Sequence, residues 1–186
     1  STEPGRVLRP LVIVEEGIPK LKNEHLIQLE QNEIGWNDLI KNGKSHYYGY
    51  DFSENAIKNA LKNIKPEYHS KITLKVTDIN KLDELPPADI IFSLGFLDWI
   101  TLSEIKKLRI LSEHIPLYLH SFTKKTASLK LFLHKIFVLI TYGLFNGLYT
   151  PRYYTTEEIM KVFKRDELHM DEDERLGIGA IINNWS

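Results

Sequence analysis

The chain has 186 residues, of which 42% are hydrophobic, and its 24 lysines and arginines against 25 aspartates and glutamates give a net charge of −1. This length suits one domain with a sizeable core, and the balanced charge gives no electrostatic footprint for nucleic acid. The sequence has no cysteine, its opening segment lacks the apolar core of a signal peptide, and no apolar run reaches the roughly 18 residues of a membrane span, so we expect a cytoplasmic protein without disulfides or Cys-ligated zinc.

The N-terminal part of the chain contains two candidates for a first strand. The run "LVIV" is uniformly apolar and ends at Glu15, Glu16 and Gly17. Residues 21–29 mix charged and apolar side chains and could form a short helix that runs into a strand at residues 26–30. Residues 37–42 have a helical pattern that stops before a glycine, a residue that commonly ends helices.

The clearest predicted helix follows a short aromatic strand, "HYYGY" at residues 46–50. Ser53 is a suitable N-cap for this helix, and Pro66 lies just beyond its end. Four apolar side chains have the i, i+3, i+4, i+7 spacing of a helix that is buried on one face: Ile57, Ala60, Leu61 and Ile64.

Strands and helices alternate in the middle of the chain. The patterns predict strands at residues 71–76, 88–94 and 115–122 and a helix at residues 103–112. Such alternation favours crossover connections and a mainly parallel sheet, in which ligands bind outside the carboxyl ends of the strands. The predicted strand ends carry a set of polar or small residues: Asp51, Asp78, Ser93 to Gly95, and His120.

The C-terminal third begins with a strongly apolar and aromatic segment. We interpret it as a core helix that buries Phe132, Ile136 and Leu139. The alternatives are a lid against an apolar substrate and a membrane-surface helix, for which the segment carries little charge. A further helix follows, with Thr155 or Thr156 as its N-cap and acidic residues in its first turn. The chain then closes with an antiparallel strand pair whose last strand is "GIGAIIN", and we interpret residues 171–174 as a solvated turn and not as a metal site.

The acid that ends the second strand, Asp51, has two interpretations. A carboxylate at this place can accept hydrogen bonds from the two hydroxyls of a ribose. It could equally cap the helix that begins near Ser53. Asp78 has the same ambiguity, since it could receive the exocyclic amine of an adenine or belong to a turn.

Four segments in order resemble one family. The segments "YYGYDFSENAIKNALKNI", "VTDINKL", "ADIIFSLGFLDWI" and "YTPRYYTTEEIMKVF" are similar to those of the class I S-adenosylmethionine-dependent methyltransferases, especially the small-molecule methyltransferases. The resemblance implies an α/β fold, a Rossmann-like seven-stranded, mostly parallel sheet with helices on both faces and an antiparallel C-terminal strand. It also implies a single domain over residues 1–186, with an insertion at about residues 124–154 that covers the substrate.

The same resemblance implies that S-adenosyl-L-methionine is the cofactor and S-adenosyl-L-homocysteine the product. Asp51 matches the ribose-binding acid and Phe52 the side chain that packs on the adenine. Asp78 and Ile79 match the pair that contacts the adenine edge. The segment beneath the methionine moiety is matched by Ser93, Leu94 and Gly95.

The first motif of the family, an acid followed by a glycine-rich loop, has a poor counterpart. Counting back from Asp51 suggests Glu30 as the acid and Gly35 as the last glycine, but Gln31, Asn32 and Glu33 stand where glycines are expected. The alternative strand at residues 11–17 lies further from Asp51. A second hypothesis follows, that of a methyltransferase-like binding or regulatory protein that has lost its cofactor.

A methyl acceptor that keeps its proton needs a base, for which we suggest His120 and Asp98. We suggest Trp99, Tyr153 and Tyr154 as substrate contacts. The expected acceptor is a small molecule, with an apolar one among the options. Neither a metal nor nucleic acid is expected to take part.

Overall fold

The computed structural model describes residues 11–15, 46–140, 151–163, 169–173 and 178–184. Its strands are β1 Leu11–Glu15, β2 His46–Asp51, β3 Ile72–Val76, β4 Ile90–Leu94, β5 Leu117–Thr123, β6 His169–Asp173 and β7 Gly179–Asn183. Its helices are α1 Glu54–Asn63, α2 Leu102–Leu111, α3 Leu129–Val138 and α4 Thr156–Phe163. The strand predicted at residues 26–30 and the helix predicted at residues 37–42 lie outside the described residues.

These strands pair in the order β3-β2-β1-β4-β5-β7-β6. The pairs β2/β3 and β4/β5 are parallel, whereas β7 is antiparallel to both β5 and β6. The α/β class and the antiparallel C-terminal strand are therefore confirmed. The prediction of a mainly parallel sheet is wrong, because the sheet is mixed.

Strand β1 lies between β2 and β4 and is antiparallel to both. Leu11 lies opposite Tyr50 and Ser93, and Glu15 lies opposite His46. The chain therefore leaves β1 at the edge where β2 begins. A reversed strand in the centre of the sheet is what most clearly separates this arrangement from the predicted one.

The ends of the helices are set by side-chain caps. Ser53 accepts a hydrogen bond from the amide of Ala56 at 3.2 Å, which confirms it as the N-cap of α1. Thr101 and Glu104 form a reciprocal capping box at the start of α2. Thr155 and Glu158 form such a box at the start of α4, where the amide of Glu158 donates to the hydroxyl of Thr155 at 3.2 Å and the amide of Thr155 donates to the carboxylate of Glu158 at 2.8 Å. Each box satisfies amides that have no partner within the helix.

The core lies on both faces of the sheet. Successive residues of a strand point to opposite faces, and in β4 Ile91 packs into one cluster while Ile90 and Phe92 pack into another. Helices α2 and α4 cover the first face through their buried side chains Ile105, Leu108, Ile159 and Phe163. The opposite face is covered by Tyr68, with Ile64 against it.

Two C-terminal predictions are wrong in detail. Helix α3 forms, but Phe132, Ile136 and Leu139 are 58%, 40% and 37% exposed, and the helix buries Leu131 and Val138 instead. The acidic run predicted as a turn belongs in large part to strand β6. Among the described residues, no helix combines the length and apolar character needed to cross a membrane.

Candidate functional site

The ends of four strands meet along one side of the sheet, which we call the carboxyl edge. Because β2 and β4 both run antiparallel to β1, and β3 and β5 run parallel to them, all four strands end on the same side. The residues at these ends are Asp51, Thr77 and Asp78, Gly95, and Thr123. The topology thus brings the predicted cofactor residues of three strands to one edge.

Asp51 ends β2 and is half-buried. Its Oδ1 accepts a hydrogen bond from the amide of Ser53 at 2.7 Å. Ser53, and not Asp51, supplies the side-chain cap of α1. The next residue, Phe52, is 52% exposed, so a carboxylate and an exposed ring stand together at the carboxyl edge.

The end of β3 is tied to the end of β2. The amide of Thr77 donates to the carbonyl of Asp51 at 2.8 Å, which places Asp78 beside the β2 terminus. Asp78 is exposed, and its Oδ1 accepts from the amide of Asn80 at 2.7 Å as the cap of a short 3₁₀ turn. The side chain of Ile79 is buried in the core, so only its backbone could face a ligand.

At the end of β4 the chain turns sharply. Gly95 has a φ of 66°, a conformation that L side chains seldom adopt. Its amide donates to the hydroxyl of Ser121 at 2.8 Å and to the carbonyl of the same residue at 3.2 Å. Leu94 and Gly95 are half-buried at this edge, whereas Ser93 is fully buried.

His120 does not lie at the edge, which contradicts its prediction as a base. Its side chain is fully buried, and its Nδ1 lies 2.8 Å from the hydroxyl of Ser93. Its ring packs against those of Tyr118 and Phe163. Burial lowers the pKa of His120 to about 3, so the ring is neutral and inside the core. His120 lies in the middle of β5, where both faces of the strand are covered, so that Tyr118, Leu119 and His120 are buried in succession.

Asp98 is also buried, in the short 3₁₀ turn after β4. Its carboxylate accepts from the amide and the hydroxyl of Thr123, both at 2.7 Å. Its backbone carbonyl accepts from the amide of Arg152 at 2.6 Å. The carboxylate that was predicted to act as a base thus joins the ends of β4 and β5, which is a positioning role.

The two predicted substrate tyrosines differ in their surroundings. Tyr154 is buried and donates its hydroxyl to the carbonyl of Ile100 at 2.6 Å, and its contact with a substrate stays a prediction. Tyr153 is half-buried, with its hydroxyl 3.2 Å from Nδ1 of His134. Burial, together with the negative charge of Asp98, raises the pKa of Tyr153 to about 12. Trp99 is half-buried in the turn that contains Asp98.

The end of β1 does not lie at the carboxyl edge. The strand is reversed, and its last residue, Glu15, lies opposite His46 at the start of β2, away from Asp51. The residues that follow Glu15 lie outside the described residues. The residues predicted for the glycine-rich loop, Glu30 and Gly35, also lie outside them.

Sequence reasoning missed two residues of this region, Thr123 and His134. Thr123 completes the contact with Asp98, and His134 contacts Tyr153. His134 is three residues from Leu131 on the inward stripe of α3, and this periodicity could have indicated it. The position of Thr123 at the end of β5 carried no comparable signal.

Comparison with known proteins gives one family and several structures. The family model described as "Methyltransferase domain" matches residues 25–140, which is more than half of the chain. Magnesium protoporphyrin IX methyltransferase from Synechocystis, solved with bound S-adenosylhomocysteine, is 20% identical with a TM-score of 0.51; the match covers 73% of this chain and 62% of that one. Human N-acetylserotonin methyltransferase, solved with S-adenosylmethionine, is 15% identical with a TM-score of 0.51; the match covers 73% of this chain and 39% of that one. A cyclopropane synthase from Mycobacterium tuberculosis is 12% identical with a TM-score of 0.52; the match covers 80% of this chain and 61% of that one.

This chain therefore spans less than two thirds of each of those structures, and at such identities the likeness shows the fold alone. Curated proteins give a different and short match. Subunit RPC2 of RNA polymerase III from Schizosaccharomyces pombe is 40% identical over 47 residues, which are 25% of this chain and 4% of that subunit. Subunit Rpo2 of the Sulfolobus acidocaldarius polymerase is 41% identical over 56 residues, 30% of this chain and 5% of that subunit. The chain spans about one twentieth of these relatives.

Proposed function

The chain belongs to the methyltransferase-domain family, and on that premise we propose that it transfers a methyl group from S-adenosyl-L-methionine to a small-molecule acceptor. The observation that carries the proposal is the carboxyl edge. It presents the half-buried carboxylate of Asp51, the exposed ring of Phe52 and the exposed carboxylate of Asp78 on adjacent parallel strands. We further propose that the seven strands described above form the Rossmann-like sheet of this family.

The residues at the carboxyl edge suit the adenosine part of the cofactor. Asp51 would accept hydrogen bonds from the ribose hydroxyls, and Phe52 would pack on the adenine. Asp78 and the backbone of Ile79 would contact the adenine edge. The turn at Gly95 would let the backbone approach the methionine part closely.

When bound, the cofactor supplies a methyl group that is already activated, so the protein mainly has to align the acceptor. We assign this task to the segment at residues 124–154 together with Trp99 and Tyr153. With a pKa of about 12, the Tyr153 hydroxyl keeps its proton at neutral pH and can donate it in a hydrogen bond to an acceptor molecule. Asp98 would keep the ends of β4 and β5 in place beneath the acceptor, because its carboxylate accepts two hydrogen bonds from Thr123.

One observation favours a second candidate, a methyltransferase-like binding protein that has lost the cofactor. The reversed β1 ends at Glu15, opposite the start of β2, so the end of this strand, which the acid and the glycine-rich loop of the family would follow, does not lie at the carboxyl edge. If no other segment replaces that loop, the amino-acid end of the cofactor has no partner from the first strand.

A binding experiment with a charge-only variant tests the first candidate. Asp51→Asn keeps a side-chain oxygen for the amide of Ser53 but removes the charge that would face the ribose. We expect its affinity for S-adenosylhomocysteine, measured by isothermal titration calorimetry, to fall about tenfold or more, since a hydrogen bond to a charged group contributes roughly 1.5–3 kcal/mol.

Asp83→Asn is the matched control, because Asp83 is an exposed carboxylate in the loop before β4, and its affinity should equal that of the wild type. Binding by the wild type that Asp51→Asn leaves unchanged would contradict the assigned role of Asp51. A wild type that gives no binding heat at millimolar ligand would favour the second candidate.

A further inference from the structure

Helix α3 buries few of its apolar side chains and exposes most of them. Leu131 and Val138 are 3% exposed, and they fix the inward direction of the helix. Five apolar side chains of the same helix are between 40% and 72% exposed: Leu129, Phe132, Leu133, Ile136 and Phe137. We call these five residues the α3 face. A contiguous apolar surface of this kind usually marks an interaction site.

The geometry of the helix makes this face continuous. At 100° per residue the five side chains follow one another at intervals of about 20–40° and together span about 140°. Lys130 adjoins one border of this arc and Lys135 lies about 60° beyond the other, and both side chains are exposed. The Nζ of Lys135 lies 5.1 Å from the centre of the Tyr153 ring. The helix therefore shows an apolar arc with a cation toward each side.

Charge along this part of the chain has one sign. Residues 123–140 contain Lys124, Lys125, Lys130 and Lys135 and no aspartate or glutamate. An apolar helix face with lysines at its borders is the arrangement of helices that lie in the interface of an anionic bilayer, where the lysine stems extend along the apolar surface and the ammonium groups reach the phosphates.

We propose that the α3 face docks on an anionic membrane surface, with α3 parallel to the plane of the bilayer. Its apolar side chains enter the boundary between headgroups and acyl chains, and its bordering lysines contact the lipid phosphates. The docking uses exposed side chains of α3 and none of the residues assigned to the cofactor, so it does not depend on cofactor binding.

A second copy of this chain fits the same surface less well. A symmetric dimer would bring the same patch of both copies together. The lysines at the two borders would then approach each other, and residues 123–140 offer no carboxylate to pair with them. Anionic lipid supplies the opposite charge that a second copy lacks.

Sedimentation with vesicles tests the proposal on the full chain without any cofactor. We expect binding to vesicles of equal parts phosphatidylcholine and phosphatidylglycerol, and much weaker binding to phosphatidylcholine alone. Raising the salt from about 0.1 M to about 1 M should weaken the binding, because the screening length falls from about 10 Å to about 3 Å. Equal binding to both vesicles at both salt concentrations would overturn the anionic preference.

Two variants and their controls separate the apolar part from the charged part. Ile136→Glu should lower vesicle binding roughly tenfold or more, since it puts a charge in place of an apolar side chain that would be buried in the bilayer. Lys130→Glu should lower vesicle binding about fivefold or more. The controls are Ile110→Glu, at a side chain 67% exposed on α2, and Lys106→Glu, at an exposed lysine of the same helix.

The proposal fails if the wild-type protein stays in the supernatant when anionic vesicles are sedimented. It also fails if the control variants weaken vesicle binding as much as the α3 variants do. It also fails if sedimentation velocity shows a wild-type dimer that Ile136→Glu dissociates, because the face would then join two copies. None of these outcomes depends on S-adenosylmethionine, so they are distinguishable from a failure of the proposed function.

Discussion

At the scale of single residues, His120 couples the core to pH. Burial lowers its pKa to about 3, whereas an exposed histidine in the unfolded chain titrates near 6.5. Below pH 6.5 the unfolded chain takes up a proton that the folded chain does not. The stability that this difference provides is therefore fully present above the unfolded value and is lost as the pH falls from about 6.5 toward about 3.

The prediction is that His120→Asn flattens this dependence. Between pH 6.5 and pH 5 we expect the free energy of unfolding of the wild type, from urea denaturation, to fall more steeply than that of the variant by about 1 kcal/mol per pH unit. Asparagine keeps a polar atom near the hydroxyl of Ser93. His114→Asn, at an exposed histidine, controls for the loss of an imidazole. Parallel slopes for wild type and His120→Asn would contradict a neutral, buried ring.

Residue positions were easier to predict than residue surroundings. The end of β2 at Asp51 followed from the change of pattern between an aromatic strand and a helix. The surroundings of His120 and Asp98 depended on which side of the sheet each faces and on a partner, Thr123, that is 25 residues from Asp98. Local periodicity contains no information on such a distant pair.

At the scale of the elements, the contact between Asp98 and Thr123 holds the ends of β4 and β5 together. We predict that Thr123→Val lowers the free energy of unfolding by about 1–3 kcal/mol, because a buried carboxylate oxygen loses its hydroxyl donor. Urea denaturation at neutral pH measures the change. Thr77→Val is the matched control, since that hydroxyl is exposed and lies 3.4 Å from its acceptor. A loss of similar size in the control would contradict a stabilising contribution from the contact between Asp98 and Thr123.

The elements also show why a helix can be predicted while its buried face is not. The sequence predicted the position of helix α1 and its serine cap. Its predicted buried stripe is wrong in part, because Ile57 is buried whereas Leu61 is 43% exposed. Helix α3 is apolar nearly all round, so a stripe through Phe132 and Ile136 and a stripe through Leu131 and Val138 satisfy the same periodicity. Only packing against the rest of the molecule chooses between them.

At the scale of the whole molecule, the order of strands and their direction are separate questions. The alternation of strands and helices predicted the α/β class. It could not predict the direction of β1, because "LVIV" is equally apolar read from either end. The direction bears on the proposed cofactor site, since a parallel first strand would end beside Asp51, whereas β1 ends at Glu15 opposite the start of β2.

The last prediction tests this direction in a chain that has no cysteine of its own. Glu15 lies directly opposite His46, and opposite residues of antiparallel strands have Cα atoms about 4.5–5.5 Å apart, which suits a disulfide. The double variant Glu15→Cys with His46→Cys should therefore form an intramolecular disulfide on mild oxidation, seen as a loss of both free thiols by mass spectrometry. The pair Glu15→Cys with Asp51→Cys should not, because five residues of strand separate the two positions by roughly 16 Å. A disulfide in the second pair only would mean that β1 runs parallel to its neighbours, and Glu15 to Gly17 would then reach the carboxyl edge as the missing first loop.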